Sequence, residues 1–274
     1  MWNTRTVGVE LEIDMPWGRD QWQNFINNDL KKIHKCEAYT DYSYQHGVVE
    51  GFDFHLTYDA SVHGRGEYGY ELITRPFTFE DTGFLGKLRG VLLSLYKNGG
   101  DVNQSCGLHI HIGCGDFPTK SFINLITFYI TFQDAIFALV PAERRVSVYT
   151  SGFSDTTKDF LLRKMKKIRS KDKLLYGVWR APTARIQTHY QMLNLFHAGM
   201  SGHYEVRAGH GSINPQRIMN WCELHLKIAD FCNKHKRVDS PFEIQGEPVK
   251  SMLGMINARN LQPYFESEQR RFGQ

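Results

Sequence analysis

Two histidines separated by one residue mark the chain's most reactive-looking stretch. In Cys106-Gly107-Leu108-His109-Ile110-His111-Ile112-Gly113, apolar and polar residues alternate from Leu108 to Ile112. That is the period of a half-buried strand. Residues two apart on a strand share a face, so His109 and His111 point one way and Leu108, Ile110 and Ile112 the other. Two imidazoles on one strand face call for partners, either neighbouring strands or a metal or anionic ligand. Three more segments repeat the pattern. Glu10 and Glu12 share a face in Val7 to Ile13, Glu67 and Glu71 in Glu67 to Ile73, and His203, Glu205 and Arg207 in His203 to Arg207. A single Glu-x-Glu strand is ordinarily a solvated sheet face. Four strands with mostly ionisable polar faces point to a shared site on a sheet.

The residue types narrow the chemistry. Carboxylates with one or two imidazoles suit Mg²⁺ or Mn²⁺ better than zinc, and no cysteine falls at a credible ligand spacing. An arginine on the same face as a carboxylate suits a bidentate phosphate contact beside a metal. Several Glu, a His and an Arg on one sheet face form a layout for holding a nucleotide triphosphate through metal ions.

The elements that must position these groups follow from periodicity and punctuation. The first strand spans about Thr6 to Asp14, ended by Pro16 and Gly18. Trp22, Phe25, Ile26, Leu30 and Ile33 predict a helix over Arg19 to Lys35. Tyr39 to Tyr58 has β-type composition and predicts a hairpin turning near His46-Gly47. Gly64-Arg65-Gly66-Glu67-Tyr68-Gly69 matches Gly-x-Gly-x-x-Gly, but a strand follows it where dinucleotide binding needs a helix. A turn between Asp59 and Glu71 is expected there. Amphipathic helices are predicted over Phe79 to Lys97, stopped by Asn98-Gly99-Gly100, and over Pro215 to His235, with Pro215 in its first turn. Pro118 to Val140 predicts a buried helix. Asp155 to Arg169 predicts a basic helix, Thr188 to His197 and Tyr204 to Ala208 predict strands, and the tail holds short helices. The fold class is α+β, a largely antiparallel sheet with helices on its other face. It is read as one domain over residues 1–274, with a core at about 6–232 and a helical tail at 233–274.

Composition sets the remaining bounds. The 274 residues carry 33 basic and 29 acidic side chains, a net charge of +4. That excess tolerates an anionic substrate without demanding nucleic acid. The basic residues concentrate in Arg163-Lys164-Met165-Lys166-Lys167-Ile168-Arg169-Ser170-Lys171, read as a solvated helix face, with a phosphate- or polymer-binding patch as the alternative. The 5 cysteines, an odd number with no Cys-x-x-Cys, fit a reducing, cytoplasmic compartment rather than a disulfide framework. The N-terminus has no apolar signal core, and Asn124, Gln133 and Asp134 interrupt the longest apolar run, so no membrane span is expected.

The ordered set of motifs resembles the amidoligase family. It comprises Gly8-Val9-Glu10-Leu11-Glu12, Asp59-Ala60-Ser61, Glu71-Leu72-Ile73-Thr74-Arg75-Pro76 and Cys106 to His111. Later come Arg145 followed by Tyr149, Tyr190-Gln191-Met192-Leu193-Asn194 and Tyr204-Glu205-Val206-Arg207. The likeness covers about residues 6 to 232. It implies the curved, largely antiparallel catalytic sheet of glutamine synthetase and gamma-glutamylcysteine ligase, with the active site on one face. It also implies ATP-dependent joining of a carboxylate to an amine through an acyl phosphate, with Mg²⁺ or Mn²⁺ neutralising charge. By the resemblance, Glu10, Glu12 and Glu71 are metal ligands, and His109 or His111 is a ligand or phosphate contact. Glu205 completes a second metal, Arg207 stabilises the transferring phosphate, Asn194 joins Arg207 and His111 on the nucleotide side, and Arg145 holds the substrate carboxylate. Val206 departs from the family's aromatic, and His210-Gly211-Ser212 from its glycine-threonine turn.

The expected partners are a small-molecule amine and a carboxylate: a free amino acid, a peptide or a protein side chain. A modified nucleobase stays open, and no membrane is expected. Two rival classes remain at this point. One is a metal-dependent hydrolase, since His-x-His on a strand also opens the amidohydrolase barrels, though those need alternating strand-helix units. The other is a non-catalytic sheet domain of a larger assembly.

Overall fold

The computed structural model describes residues 2–16, 18–40, 47, 49–65, 69–180 and 190–272. Glu67, His46 and the first two residues of the strand expected from Thr188 lie outside that set. The fold mixes helix and strand. Its open sheet runs in the order β2-β3-β4-β1-β5-β7-β6, antiparallel over six strands with β2 added parallel at one edge. These strands are β1 (Val7–Ile13), β2 (Ala38–Thr40), β3 (Phe54–Tyr58), β4 (Tyr70–Thr74), β5 (Gly107–Gly113), β6 (Leu193–Asn194) and β7 (His203–His210). The chain forms two compact units, each discontinuous in sequence.

The first unit holds residues 3–110 and 209–222. Leu11, Leu72 and Leu56 fall in one register row across β1, β4 and β3, all at 0% exposure. The next row on the opposite face is Glu12, Glu71 and Thr57, and it too is buried. Strand parity is therefore as expected, but the polar face is not a solvated one.

Helices α1 (Arg19–Phe25) and α2 (Thr82–Lys97) belong to this unit. Asp81 caps α2 by accepting from the Phe84 backbone N–H at 2.9 Å, so the helix starts at Thr82 and not at Phe79. Phe84 packs on Phe77 and on Phe54 of β3, with ring centroids 4.9 and 5.4 Å away. After Lys97 the backbone turns left-handed at Gly99, and Gly100 donates to the Leu95 carbonyl.

Helix α1 widens into a π-type turn over Ile26–Ile33. Asp29 in that turn accepts from Ser94 Oγ at 2.5 Å and from Asn98 Nδ2 at 2.9 Å, tying it to the end of α2. The wider turn rotates Ile33 out of the apolar stripe, to 64% exposure. The expected hairpin is also corrected. β2 and β3 pair in parallel, Ala38 against Phe54, so they are not the two arms of a hairpin, and the turn expected at His46 lies outside the described residues.

The second unit holds residues 1–2, 111–208 and 223–274. Its central element is α3 (Thr119–Phe137), non-helical at Phe132. Asn124 and Gln133, two of the three polar residues that interrupt its apolar run, are spent inside the protein, while Asp134 is exposed. Asn124 donates to the carbonyls of Cys232, His235 and Lys236 and accepts from Val238, while Gln133 accepts from Phe153 N–H. No described helix is long and apolar enough to cross a membrane.

Around it lie α4 (Ala142–Arg145), α5 (Asp155–Met165), α6 (Lys171–Leu174), the second part of α7 (Pro215–Lys234), α8 (Pro248–Met255) and α9 (Gln262–Phe272). Two expectations change here. The basic helix ends at Met165, and among the described residues the strand expected from Thr188 is Leu193–Asn194. Asn194 itself ends it, because its side-chain oxygen accepts from Phe196 N–H at 2.9 Å and turns the chain.

Candidate active site

β1 places Glu10 and Glu12 on one face, and the antiparallel register sets Glu71 of β4 directly opposite Glu12. Neighbouring carboxylates in this position repel, and burial removes the water that would screen them. Glu12 is 5% exposed and Glu71 1%. His109 of β5 enters the same cluster at 2% exposure. Its Nδ1 lies 3.3 Å from Glu10 Oε2 and its Nε2 3.5 Å from Glu12 Oε1. Glu12 Oε2 also accepts from Gly107 N–H at 2.5 Å, so β5 supplies both a ring and a backbone donor to β1.

Asp59, in the turn after β3, completes the group at 4% exposure. Its Oδ1 accepts from Ser61 N–H at 2.7 Å, which orients the carboxylate. Two overlapping triads result, Glu10-Glu71-His109 and Glu12-Asp59-Glu71, each with its ligand atoms within 4.8 Å of one another. Four carboxylates and one imidazole, all buried but the half-buried Glu10, form two groups sharing Glu71 and are a donor set for a hard divalent cation such as Mg²⁺ or Mn²⁺. Cys106 does not join them as a thiolate. Burial, reinforced by the Glu12 and Asp14 carboxylates, pushes its thiol up to about 12.

The remaining candidates belong to the second unit. Asn194 of β6 pairs with Glu205 of β7 in register, and its Nδ2 donates to Glu205 Oε2 at 2.8 Å. Arg207 donates through Nη1 to Glu205 Oε1 and through Nε to the Tyr149 carbonyl at 3.2 Å. Glu205 is thus held between an amide and a guanidinium. His111 of β5 belongs to the second unit as well. Its ring meets His203 edge-on at 5.2 Å, and His203 stacks on His197 at 5.1 Å.

Arg145 reaches backbone carbonyls, donating to Val140 O at 3.0 Å and to Phe272 O. Its neighbour Arg144, 4% exposed, donates instead to the Arg207 carbonyl at 2.9 Å.

Sequence reasoning assigned its candidates to one site; of them the first unit brings together Glu10, Glu12, Glu71 and His109, and the second unit Asn194, Glu205 and Arg207. It missed Asp59, Arg144 and the His197-His203 stack. Asp59 had a signal, the Asp59-Ala60-Ser61 turn, to which no role was given. Arg144 had none beyond adjacency to Arg145.

Fold and site define a mixed helix-and-strand protein with a largely buried acidic cluster that could hold a divalent cation. A family model described as "Putative amidoligase enzyme" matches residues 3–229. The chain belongs to this amidoligase family, whose description points to a ligase. No match was found among curated proteins.

Proposed function

We propose that the protein is an ATP-dependent carboxylate-amine ligase. The observation that carries this reading is the set Glu10, Glu12, Asp59, Glu71 and His109, buried except for the half-buried Glu10. Such a set is costly unless a cation neutralises it. A divalent ion held there would draw charge from a polyphosphate as its terminal phosphoryl group moves. Family membership supports the carboxylate and amine as the two substrates.

The residues then divide the work. Glu10, Glu12, Glu71 and Asp59 would hold cations, with the His109 ring set between the carboxylates of Glu10 and Glu12. Arg207, oriented by Glu205 and by the Tyr149 carbonyl, contacts phosphoryl oxygens with a planar fork. The substrate carboxylate takes the γ-phosphoryl group of ATP and ADP leaves. The amine then attacks the acyl carbon, phosphate departs, and the amine loses a proton.

The rival hydrolase reading needs neither ATP nor a phosphate-binding arginine. The antiparallel β1-β4 and β3-β4 pairs also differ from the alternating parallel units of a barrel. Incubation with ATP, Mg²⁺ and a panel of amines and carboxylates tests the proposal. ADP release coupled to a new amide in the mass spectrum is expected. Amide hydrolysis without ATP consumption would overturn it.

A further inference from the structure

Between α3, α5 and the segment that leads into α8, the second unit holds a cavity of about 400 Å³. That volume is in the range of small-molecule sites. Its floor is hydrocarbon, from Ile130 of α3, Leu162 of α5, Phe242 and Ile244. The floor is held in place before any ligand arrives. Thr131 Oγ1 accepts from Phe242 N–H at 3.1 Å, and the Phe242 ring packs against Phe128 and Phe231, with centroids 5.8 and 5.6 Å away. Ile244 is 41% exposed, so apolar surface stands in water at the mouth.

The polar wall is one face of α5. Asp155, Lys158 and Asp159 line the cavity at positions i, i+3 and i+4, above Leu162 at i+7. Asp155 is accounted for within the protein. It lies in the first turn, where the helix dipole favours an anion, and its Oδ1 is 3.6 Å from Lys158 Nζ. Asp159 is not accounted for in this way. It is exposed, and its carboxylate makes no ion pair among the described residues. Arg163, one turn on, donates to the Asp159 backbone carbonyl at 3.2 Å and not to the carboxylate. The Thr131 hydroxyl is spent on the Thr127 carbonyl and the Phe242 N–H. Two carboxylates against one ammonium leave the lining net negative, a local reversal in a chain of net charge +4.

Floor and wall together select the ligand. A carboxylate or a phosphate would meet Asp155 and Asp159. A neutral hydrocarbon would take water from Asp159 without offering it a donor. A cation on a hydrocarbon body meets both demands. Its body displaces water from Leu162, Phe242 and Ile244, while its ammonium reaches Asp159 at the rim. No described strand contributes to the lining, so there is no backbone edge to take an extended peptide.

We propose that this cavity binds a small alkylammonium, a primary amine carried on a hydrocarbon chain. The inference rests on this cavity and not on the ligase reading.

Isothermal titration calorimetry of the full chain with octylamine, octanol, octanoate and ethylamine tests it. Octylamine should bind saturably. Octanol lacks the charge, octanoate reverses it and ethylamine lacks the body, so each should bind more weakly. Asp159→Asn should weaken octylamine about fivefold, the size of an exposed ion pair, and leave octanol unchanged. Leu162→Trp, which fills the cavity from α5, should abolish octylamine binding, with circular dichroism confirming the fold of both variants. Asp172→Asn removes an exposed carboxylate that does not line the cavity and should leave octylamine binding within twofold. Absent octylamine binding, octanol or octanoate binding as tightly, or equal losses in Asp159→Asn and Asp172→Asn would overturn the proposal. So would loss of octylamine in Glu71→Gln with none in Asp159→Asn, which would put the amine among the carboxylates of the first unit. ADP release reports separately on the ligase reading, so the two can fail independently.

Discussion

Glu12 and Glu71 face each other across the β1-β4 pair, 5% and 1% exposed, with Asp59 close to both. An arrangement this repulsive has an opposite effect on stability with and without a cation. In metal-free buffer, Glu71→Gln should raise the melting temperature, because removing one of two opposed charges relieves about 1 kcal/mol. With Mg²⁺ at a hundred times its dissociation constant, the wild type should gain about 2.7 kcal/mol and the variant far less. Thermal scans with EDTA and with Mg²⁺ check both signs. Identical Mg²⁺ shifts in the two proteins would remove Glu71 from the metal set.

Arg207 is tied to Glu205 and to the Tyr149 carbonyl, so its substitution has two separable consequences. If its fork contacts the phosphoryl group in transit, Arg207→Lys should cost about 3 kcal/mol of transition-state stabilisation, on the order of a hundredfold in kcat, with a smaller effect on ATP affinity. If it only braces Glu205, the melting temperature should fall while kcat per folded molecule stays near wild type. Measuring both on one preparation distinguishes these results.

His225 sits on α7 at 0% exposure, its Nδ1 2.7 Å from the Tyr129 hydroxyl, and burial lowers its pKa from 6.5 to about 3. The unfolded chain takes up a proton below about pH 6.5, and the folded protein does not until about pH 3. The stability that His225 contributes is therefore complete above pH 6.5 and is lost at up to about 1.4 kcal/mol per unit as pH falls through that window. Urea unfolding at pH 6.5 and pH 5 should show the wild type losing about 2 kcal/mol more than His225→Gln. Parallel pH profiles would contradict the assignment.

Gly209 lies where a Cβ would stand 2.7 Å from the Leu108 carbonyl oxygen, and Gly211 donates its N–H to the Cys106 carbonyl at 2.9 Å. Strand backbone leaves no room to yield, so Gly209→Ala should destabilise by about 1–3 kcal/mol. Gly86, inside α2 with open space around it, should behave in the opposite way. Gly86→Ala should stabilise by about 1 kcal/mol, because alanine loses less backbone entropy in a helix. Chemical denaturation of the two variants against wild type measures the pair.

Local periodicity was enough to assign the faces of β1, β5 and β7. Alternation with period two is a property of the extended backbone itself, so Glu10 with Glu12, and Glu205 with Arg207, share faces in any sheet containing those strands. The motif order was likewise legible, and residues 3–229 match the amidoligase family it resembles. Sequence alone could not supply the relations between distant segments. That Glu71 opposes Glu12 depends on a hydrogen-bond register between strands nearly sixty residues apart, and a one-residue slip would turn it to the other face. That Asp59 joins them depends on a turn whose position no periodicity encodes. The parallel pairing of β2, the end of α5 at Met165 and the approach of Arg237 to its last carbonyls are of the same kind. Tertiary packing decided them, because each depends on which backbone groups a distant segment brings within hydrogen-bond reach.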